Sequence, residues 1–304
     1  MRVVLLSGGG GGARFARGLA AILPSGELTV VANVGDDLEV LGLHVSPDLD
    51  SILYTLAGLL DDERGWGRSD ETWRALGAVA HWGGEDWFRL GDLDLGLHLV
   101  RTPALHAGAR LSEVTARLVG RAGIETRLLP ATDDRLRTRV VTAAGTFPFQ
   151  EWFVARRHED DVDGVEYEGA DQAAPAPGVL EALEHADAVL LAPSNPYLSI
   201  GPILAVRAIR DALERRRARC VAISPLVGGR AVTGPLDRML SRMAGGTRPA
   251  HVADCYDGVI DALAIDGSDA PAEAAVPLVV TDTLMPDRDA ERRLAEVVLE
   301  TACA

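Results

Sequence analysis

Aspartates and glycines, more than nucleophiles, mark where this chain could do chemistry. Asn33-Val34-Gly35-Asp36-Asp37 is followed by Ser46-Pro47-Asp48-Leu49-Asp50, so four aspartates gather near the end of one apolar run. Carboxylates grouped in this way can hold Mg²⁺ against a diphosphate, or one can act as a base on an attacking hydroxyl. Asp48 and Asp50 also precede a helical pattern that opens at Ser51, where acidic side chains serve equally well as caps. Upstream, Ser7 leads into five consecutive glycines, Gly8, Gly9, Gly10, Gly11 and Gly12, lying between a strand pattern and a helical one. Backbone amides in such a run can turn toward a phosphate at a helix N-terminus; a tight strand-to-helix turn with no ligand would be spelled the same way. Gly8, Gly10 and Ala13 also fit GxGxxA, a dinucleotide pattern. That reading needs an acid at the end of the second strand to hold ribose hydroxyls, and the strand ends at Asn33 instead.

Two further clusters carry polar side chains at turns. Arg89-Leu90-Gly91-Asp92-Leu93-Asp94, with His98 and Arg101 beyond it, could bind phosphate and metal together. Solvated loop charges explain it equally well, and His98 reads weakly as a metal ligand. Pro193-Ser194-Asn195-Pro196 closes a strand and opens a helix, so Ser194 and Asn195 either hydrogen-bond a base, ribose or phosphate or simply turn the chain. Gly228-Gly229-Arg230 and Thr233-Gly234-Pro235 add a flexible loop after the next strand, and the arginine run at 214–219 reads as a solvated helix end. Nucleophilic catalysis finds little support: there is no GxSxG elbow, and the serines have no evident histidine partner.

Composition narrows the chemistry further. All 30 Lys+Arg residues are arginine, which excludes a P-loop lysine, a Schiff-base lysine and a lysine general base. Cationic help must come from guanidinium groups, backbone amides or a metal ion. A formal charge of −15 argues against a nucleic-acid partner. The 3 cysteines are far apart without CxxC spacing, as expected of a reduced, cytoplasmic protein without disulfides. The chain opens on a strand pattern without a signal peptide, and no apolar run approaches a membrane span, so no membrane partner is expected.

The elements that must position these residues follow an α/β rhythm. Arg2–Leu6, the glycine run, a helix over 13–23 and a strand over 28–33 make a Rossmann-like β-loop-α-β opening. A polar acidic loop fills 34–50, and 51–60 reads as a helix. Residues 61–110 hold four of the 5 tryptophans (Trp66, Trp73, Trp82, Trp87) and read as a helical insertion or cap. After a helix over 112–122 and a strand over 125–129, 137–141 and 146–153 read as a two-strand excursion. The acidic stretch 159–177 reads as a surface loop, so that 137–170 forms a β excursion and loop. Helices over 179–184, 200–217, 236–243 and 287–301 then alternate with strands over 188–192, 220–223, 259–265 and 278–281. The fold class is therefore α/β: one enlarged Rossmann-like domain spanning 1–304, a parallel sheet with a helical Trp-rich insertion and a small β excursion.

Taken together, the Ser-Gly-Gly loop, Asn33 to Asp37, Ser46 to Asp50 before Tyr54, Leu90-Gly91-Asp92-x-Asp94, Ser194-Asn195-Pro196-Tyr197-x-Ser199-Ile200-Gly201-Pro202, Ser224 to Gly229 and Thr281 to Met285 resemble the 2-phospho-L-lactate transferases. The match runs in order from the first strand to the last helix. The resemblance implies a step of coenzyme F420 biosynthesis. The ribityl hydroxyl of the deazaflavin Fo attacks the phosphate of a guanosine diphosphate-activated three-carbon acid, GMP leaves, and a phosphodiester remains. It also implies Mg²⁺ as cofactor, Fo and the activated acid as small-molecule partners, and a homodimer. Under it, Gly8 to Gly12 with Ser194 and Asn195 hold the guanosine diphosphate part. Asp50 is the first choice, with Asp48, to orient Fo or its hydroxyl; Arg89 and Trp87 contact Fo; and Asp36, Asp37 and Asp92 are the candidate Mg²⁺ ligands. Trp82 and Phe88 could also wall the flat deazaflavin, or pack in a core. Relatives often carry Thr within the glycines, so the phosphate contacts here fall to backbone groups. Lactyl and enolpyruvyl donors differ by two hydrogens that no residue visibly reads, so both stay open.

Two other classes compete. A related family of non-catalytic nucleotide-sugar-binding regulators shares the glycine loop and the Asn-x-x-Asp-Asp stretch, and would not bind Fo. A nicotinamide-dependent oxidoreductase rests on GxGxxA alone.

Overall fold

The computed structural model describes residues 1–304. Seven short, largely β-branched or aliphatic runs form a parallel sheet: β1 (Val3–Ser7), β2 (Leu28–Ala32), β3 (Arg127–Pro130), β4 (Ala188–Leu191), β5 (Arg219–Ile223), β6 (Ala262–Asp266) and β7 (Leu278–Thr281). Their spatial order is β7-β6-β5-β4-β1-β2-β3, with every pairing parallel. The central strands β1 and β4 are buried throughout because helices cover both faces, which is why they read as continuous apolar runs without alternation. From β1 the chain builds outward to β3 on one side and then returns to build β4 to β7 on the other. The carboxyl ends of β1 and β4 therefore flank a topological switch point, where open α/β sheets leave a crevice for ligands.

Helix α1 (Gly9–Ile22) follows β1, and α2 (Pro47–Leu56) packs against it. Gly9 to Gly12 are thus the first turn of a helix and not a loop before one. Between β2 and α2 the expected acidic loop contains a small hairpin, Leu38–Val40 paired with Leu43–Val45. Helix α2 starts at Pro47, so Asp48 and Asp50 lie inside its first turn, whereas the sequence pattern placed them ahead of it. The cap contains α3 (Arg74–His81) and α4 (Asp92–His106) and contributes no strand to the sheet. Helix α5 (Leu111–Arg121) precedes β3, and α6 (Val179–Glu184) precedes β4.

The excursion has three strands: Gly145–Pro148, Arg137–Thr142 in the centre, and Val162–Glu168. The third was expected as surface loop because acids alternate through it. The residues between those acids, Val162, Val165 and Tyr167, supply its inward face. Phe149 to Phe153, expected to extend a strand, instead enter a wide helical turn over Glu151–Ala155, closed by the Arg156 amide on the Glu151 carbonyl at 2.9 Å. The long helix expected over 200–217 is interrupted as well. A second wide turn (Pro196–Ile200) leads into α7 (Gly201–Ala205), Val206 is extended, and α8 (Arg207–Glu214) follows. Helices α9 (Leu236–Met243) and α10 (Pro249–Asp254) complete that side, and α11 (Arg288–Cys303) returns to pack on α1. The crossing of α1 and α11 is close at Gly18, where any Cβ would run into the Glu291 carbonyl. Arg17 donates to both Glu291 carboxylate oxygens, at 2.8 and 2.6 Å, beside that crossing. No helix is long and apolar enough to cross a membrane.

Candidate active site

The crevice at the switch point is a cavity of about 920 Å³. Its floor is the first turn of α1, where Gly8 to Gly11 line the cavity with amides that have no helical partner. Gly12 does not line it. A Cβ there would strike the Ser7 and Ser194 hydroxyls, so this glycine serves the close seating of α1 on the sheet. Gly8 is constrained in the same way from the site side: an added Cβ would stand 2.5 Å from Asp48 Oδ2 and 2.9 Å from Ser199 Cβ.

Asp48 is the most connected of the predicted residues. Its Oδ1 accepts from the Gly9 amide at 2.8 Å and its Oδ2 from Asn33 Nδ2 at 2.9 Å. Asn33 also donates to the Leu198 carbonyl at 3.3 Å and accepts from the Gly35 amide at 2.7 Å, so one buried amide ties the end of β2, the start of α2 and the Pro196–Ile200 turn together. Burial raises the Asp48 carboxyl to about 6; the Asn33 and Gly9 hydrogen bonds oppose that rise and Asp37 adds to it. Asp36 lines the same cavity and is buried, with Oδ1 lacking any partner. Its carboxyl is pushed well above the usual range, by burial first and then by the neighbouring Asp48 and Asp37 charges.

The other two aspartates of the group face elsewhere. Asp37 accepts from the Ser46 hydroxyl at 2.9 Å and lies 3.1 Å from His44 Nε2, in a separate cavity of about 600 Å³. Asp50 points away from the site into a buried pair. Arg101, 1% exposed, donates to both Asp50 oxygens, one at 3.0 Å, and His98 lies beside them. Burial drives the His98 ring down to about 4, with Arg101 contributing and Asp50 opposing. Asp50 does not line the large cavity.

The expected metal trio is not brought together. Asp92 sits at the surface of the cap, accepting from the Thr72 hydroxyl and the amides of Arg74 and Ala75, where it joins α3 to α4. No cluster of three or more His, Cys, Asp or Glu side chains in the chain is arranged to hold a metal.

Ser194 and Asn195 both line the cavity. The Ser194 hydroxyl donates to the Gly8 carbonyl at 2.7 Å, and Asn195 Oδ1 accepts from the amides of Tyr197 and Leu198 at 2.9 and 3.1 Å. Both side chains are therefore occupied in part by shaping the turn.

The cap closes one end. Arg89 lines the cavity, and its guanidinium stacks on Trp73 at 5.0 Å. Arg64 lies over both Trp66 and Trp73, at 5.5 and 4.8 Å. Trp66 and Phe88 line the cavity, whereas Trp87 packs edge-on against Phe88 behind it and Trp82 is 85% exposed. Sequence reasoning chose the wrong tryptophans because position along the cap says nothing about which ring faces inward. It also missed Arg14, one turn beyond the glycines, whose i+4 spacing from Gly10 on the helix was the available signal. The opposite end, formed by Phe149, Phe153, Arg157 and His158 of the excursion, was missed entirely. The chain is acidic overall, yet Arg14, Arg64, Arg89 and Arg157 all reach this cavity.

Strand order, switch-point cavity and exposed helix amides define a Rossmann-like α/β protein. The 2-phospho-L-lactate transferase CofD family model matches residues 3–298. A phosphoenolpyruvate transferase of Kitasatospora aureofaciens is 44% identical over 314 residues, covering 99% of this chain and 98% of that protein. Phosphoenolpyruvate transferases of Streptomyces griseus (43%; 99% and 98% covered) and Nocardia farcinica (44%; 92% and 90% covered) are similarly close. Among solved structures, protein BH3568 of Bacillus halodurans shares the fold with a TM-score of 0.66 at 18% identity, covering 98% of this chain and 99% of that one. The chain belongs to the 2-phospho-L-lactate transferase family, and is a phospho-acid transferase of coenzyme F420 biosynthesis.

Proposed function

We propose that the chain transfers a phosphoenolpyruvyl group from its guanosine diphosphate-activated form to the ribityl hydroxyl of Fo. The hydroxyl oxygen bonds to the phosphorus that bears the acid and gives up its proton to water, the bridging P–O bond to the guanosine phosphate breaks, and GMP departs with that electron pair. The enolpyruvyl choice over lactyl rests on the names of the actinobacterial relatives. One observation carries the chemistry: Asp36 and Asp48, both buried, lie together beside the first turn of α1, whose Gly10 and Gly11 amides have no helical partner, on a cavity large enough for two substrates.

Mg²⁺ fits that pair. Asp36 has an unpartnered oxygen and each carboxyl is held above its usual range, a conflict that a cation removes. Two carboxylates without a third protein ligand suit Mg²⁺, which keeps its other positions for phosphate oxygens and water. Asp36 and Asp48 would hold the ion, which would supply charge neutralisation for the diphosphate. The chain's own groups do the rest. The amides of Gly10 and Gly11 hold a phosphate at the helix N-terminus, Arg14 supplies fixed positive charge, and Ser194 and Asn195 face the nucleotide. Trp66 and Phe88, backed by Arg64 and Arg89, offer the deazaflavin a surface. Such transfer needs positioning and charge neutralisation more than a covalent nucleophile, in keeping with the lack of one. Asp50 acts through structure: its pair with Arg101 anchors α2 so that Asp48 faces the cavity.

The test is mass spectrometry of the purified protein with Mg²⁺, Fo and both activated acids at equal concentration. An Fo phosphodiester with GMP release is expected, with the enolpyruvyl product in excess. Binding of a diphospho-nucleotide without turnover of either donor would overturn the proposal in favour of a regulator.

A further inference from the structure

The excursion end of the cavity has no role in the transfer as described, yet it is built with care. Phe149 and Phe153 pack with tilted rings at 5.2 Å and 33° between planes, and Phe153 and the His158 ring at 5.0 Å and 32°. Phe149, Phe153 and His158 all line the cavity. Behind them, Trp152 is fully buried with Val140, Val162, Leu198 and Met239, so the platform is rigidly backed. His158 is fixed by Arg238, which donates to its carbonyl and lies 3.3 Å from its Nδ1. Arg157 and His158 both adopt positive φ, 55° and 44°, a conformation rare for two consecutive non-glycine residues. The turn directs Arg157 into the cavity, where its guanidinium has neither a hydrogen-bond nor an ion-pair partner within the chain.

An aromatic surface beside an unpaired guanidinium is a recognition device for a flat ring with adjacent acceptors. The cavity must take two such rings, and their ends can be assigned. Ser194 and Asn195, next to the phosphate-holding turn of α1, adjoin the excursion through Leu198 and Met239; Asn195 Nδ2 lies 3.6 Å from the Met239 sulfur. The cap lies at the other end. We infer that the Phe153–His158 platform stacks the purine base of the donor nucleotide, and that Arg157 reads the O6 and N7 acceptors of guanine. This assignment rests on the transferase reading above and adds to it the residues that select guanosine over adenosine. A bidentate guanidinium matches those two acceptors, whereas adenine presents a donor in place of O6.

The experiment is calorimetric titration of GDP and of ADP, with Mg²⁺, into the wild type and Arg157→Ala, together with donor and Fo KM values for both proteins. Arg157 is exposed, so the variant should fold, and an unchanged melting temperature checks this. The wild type should prefer GDP. Arg157→Ala should lose about 5- to 150-fold in GDP affinity, the range that a bidentate arginine–guanine pair carries, with ADP affinity and the KM for Fo unchanged. Phe153→Leu should weaken GDP and ADP alike by removing the stacking surface. Unchanged GDP affinity in Arg157→Ala, while the wild type still turns over, overturns the inference and leaves the transferase reading intact. A raised KM for Fo with unaltered GDP binding also overturns it, because it places the deazaflavin at this end. Failure of the wild type to bind GDP or form product removes the transferase reading and this assignment with it.

Discussion

The Asp50–Arg101 pair separates a catalytic role from a supporting one. Both side chains are buried, and the guanidinium makes a two-pronged contact with the carboxylate. Removing one partner of such a pair leaves an uncompensated buried charge and costs about 3–5 kcal/mol. Replacing both with apolar side chains of similar size is often neutral or stabilising. Asp50→Leu alone should therefore lower the melting temperature by roughly 5–8 °C, taking an unfolding entropy of about 2.1 cal/mol/K per residue over 304 residues. Asp50→Leu with Arg101→Met should recover most of that loss. Thermal melts and GMP-release kinetics on the two single variants and the double variant complete the cycle. If Asp50 serves to anchor α2, kcat/KM in the double variant should return to within about tenfold of wild type, a residual of about 1.4 kcal/mol. A double variant that melts like the wild type but has lost a thousandfold or more in kcat would refute the reasoning. It would mean that the Asp50 carboxylate acts on the reacting groups after all.

Four further predictions follow from the same geometry. Asp48→Asn should cost a hundredfold or more in turnover and abolish Mn²⁺ binding read by electron paramagnetic resonance, while Asp92→Asn should leave both unchanged; metal binding that survives in Asp48→Asn would remove that ligand. Gly8→Ala should destabilise by about 1–3 kcal/mol because the new methyl meets Asp48 Oδ2 at 2.5 Å. At Gly10 the nearest atom would be 3.5 Å away, so Gly10→Ala should fold normally, and equal melting temperatures for the two variants would contradict this. Stability should also depend on pH through two opposing groups. His98 has a folded value of about 4 against 6.5 unfolded, so its contribution is present above 6.5 and is lost as pH falls toward 4. Asp48 has a folded value of about 6 against 3.8, so its contribution is present below 3.8 and is lost as pH rises toward 6. Each spans roughly 3 kcal/mol, so they offset each other, while buried Asp36, also raised, adds to the Asp48 side. His98→Gln should therefore become less stable from pH 4 to 6 in denaturant titrations, and a flat profile would contradict the Asp48 shift.

The central strands of the sheet were legible because parallel strands buried on both faces must be apolar throughout; their order was not. Val3 to Ser7 and Ala188 to Leu191 could hardly be read otherwise. The third excursion strand was not legible, because Asp163, Glu166 and Glu168 mark it as polar and a register shift between Val162 and Gly164 breaks the spacing of Val162, Val165 and Tyr167. The cavity wall was least legible. Arg157, His158 and Trp66 reach the site through turns whose direction depends on distant packing, and no local pattern encodes that direction.

The misplacement of Asp50 has a different origin, which is helix register. A boundary read four residues late left Asp48 and Asp50 on a loop, where both carboxylates were free to face one substrate. Inside α2 they stand at i and i+2, about 200° apart around the axis. One side chain on the cavity then forces the other away from it. The direction is settled by the Gly9 amide and Asn33, which hold Asp48 toward α1, and by Arg101, which holds Asp50 toward α4. Pro47 is the residue that decides between these readings. A proline favours the first helical position, and placing N1 there already divides the two aspartates between two jobs.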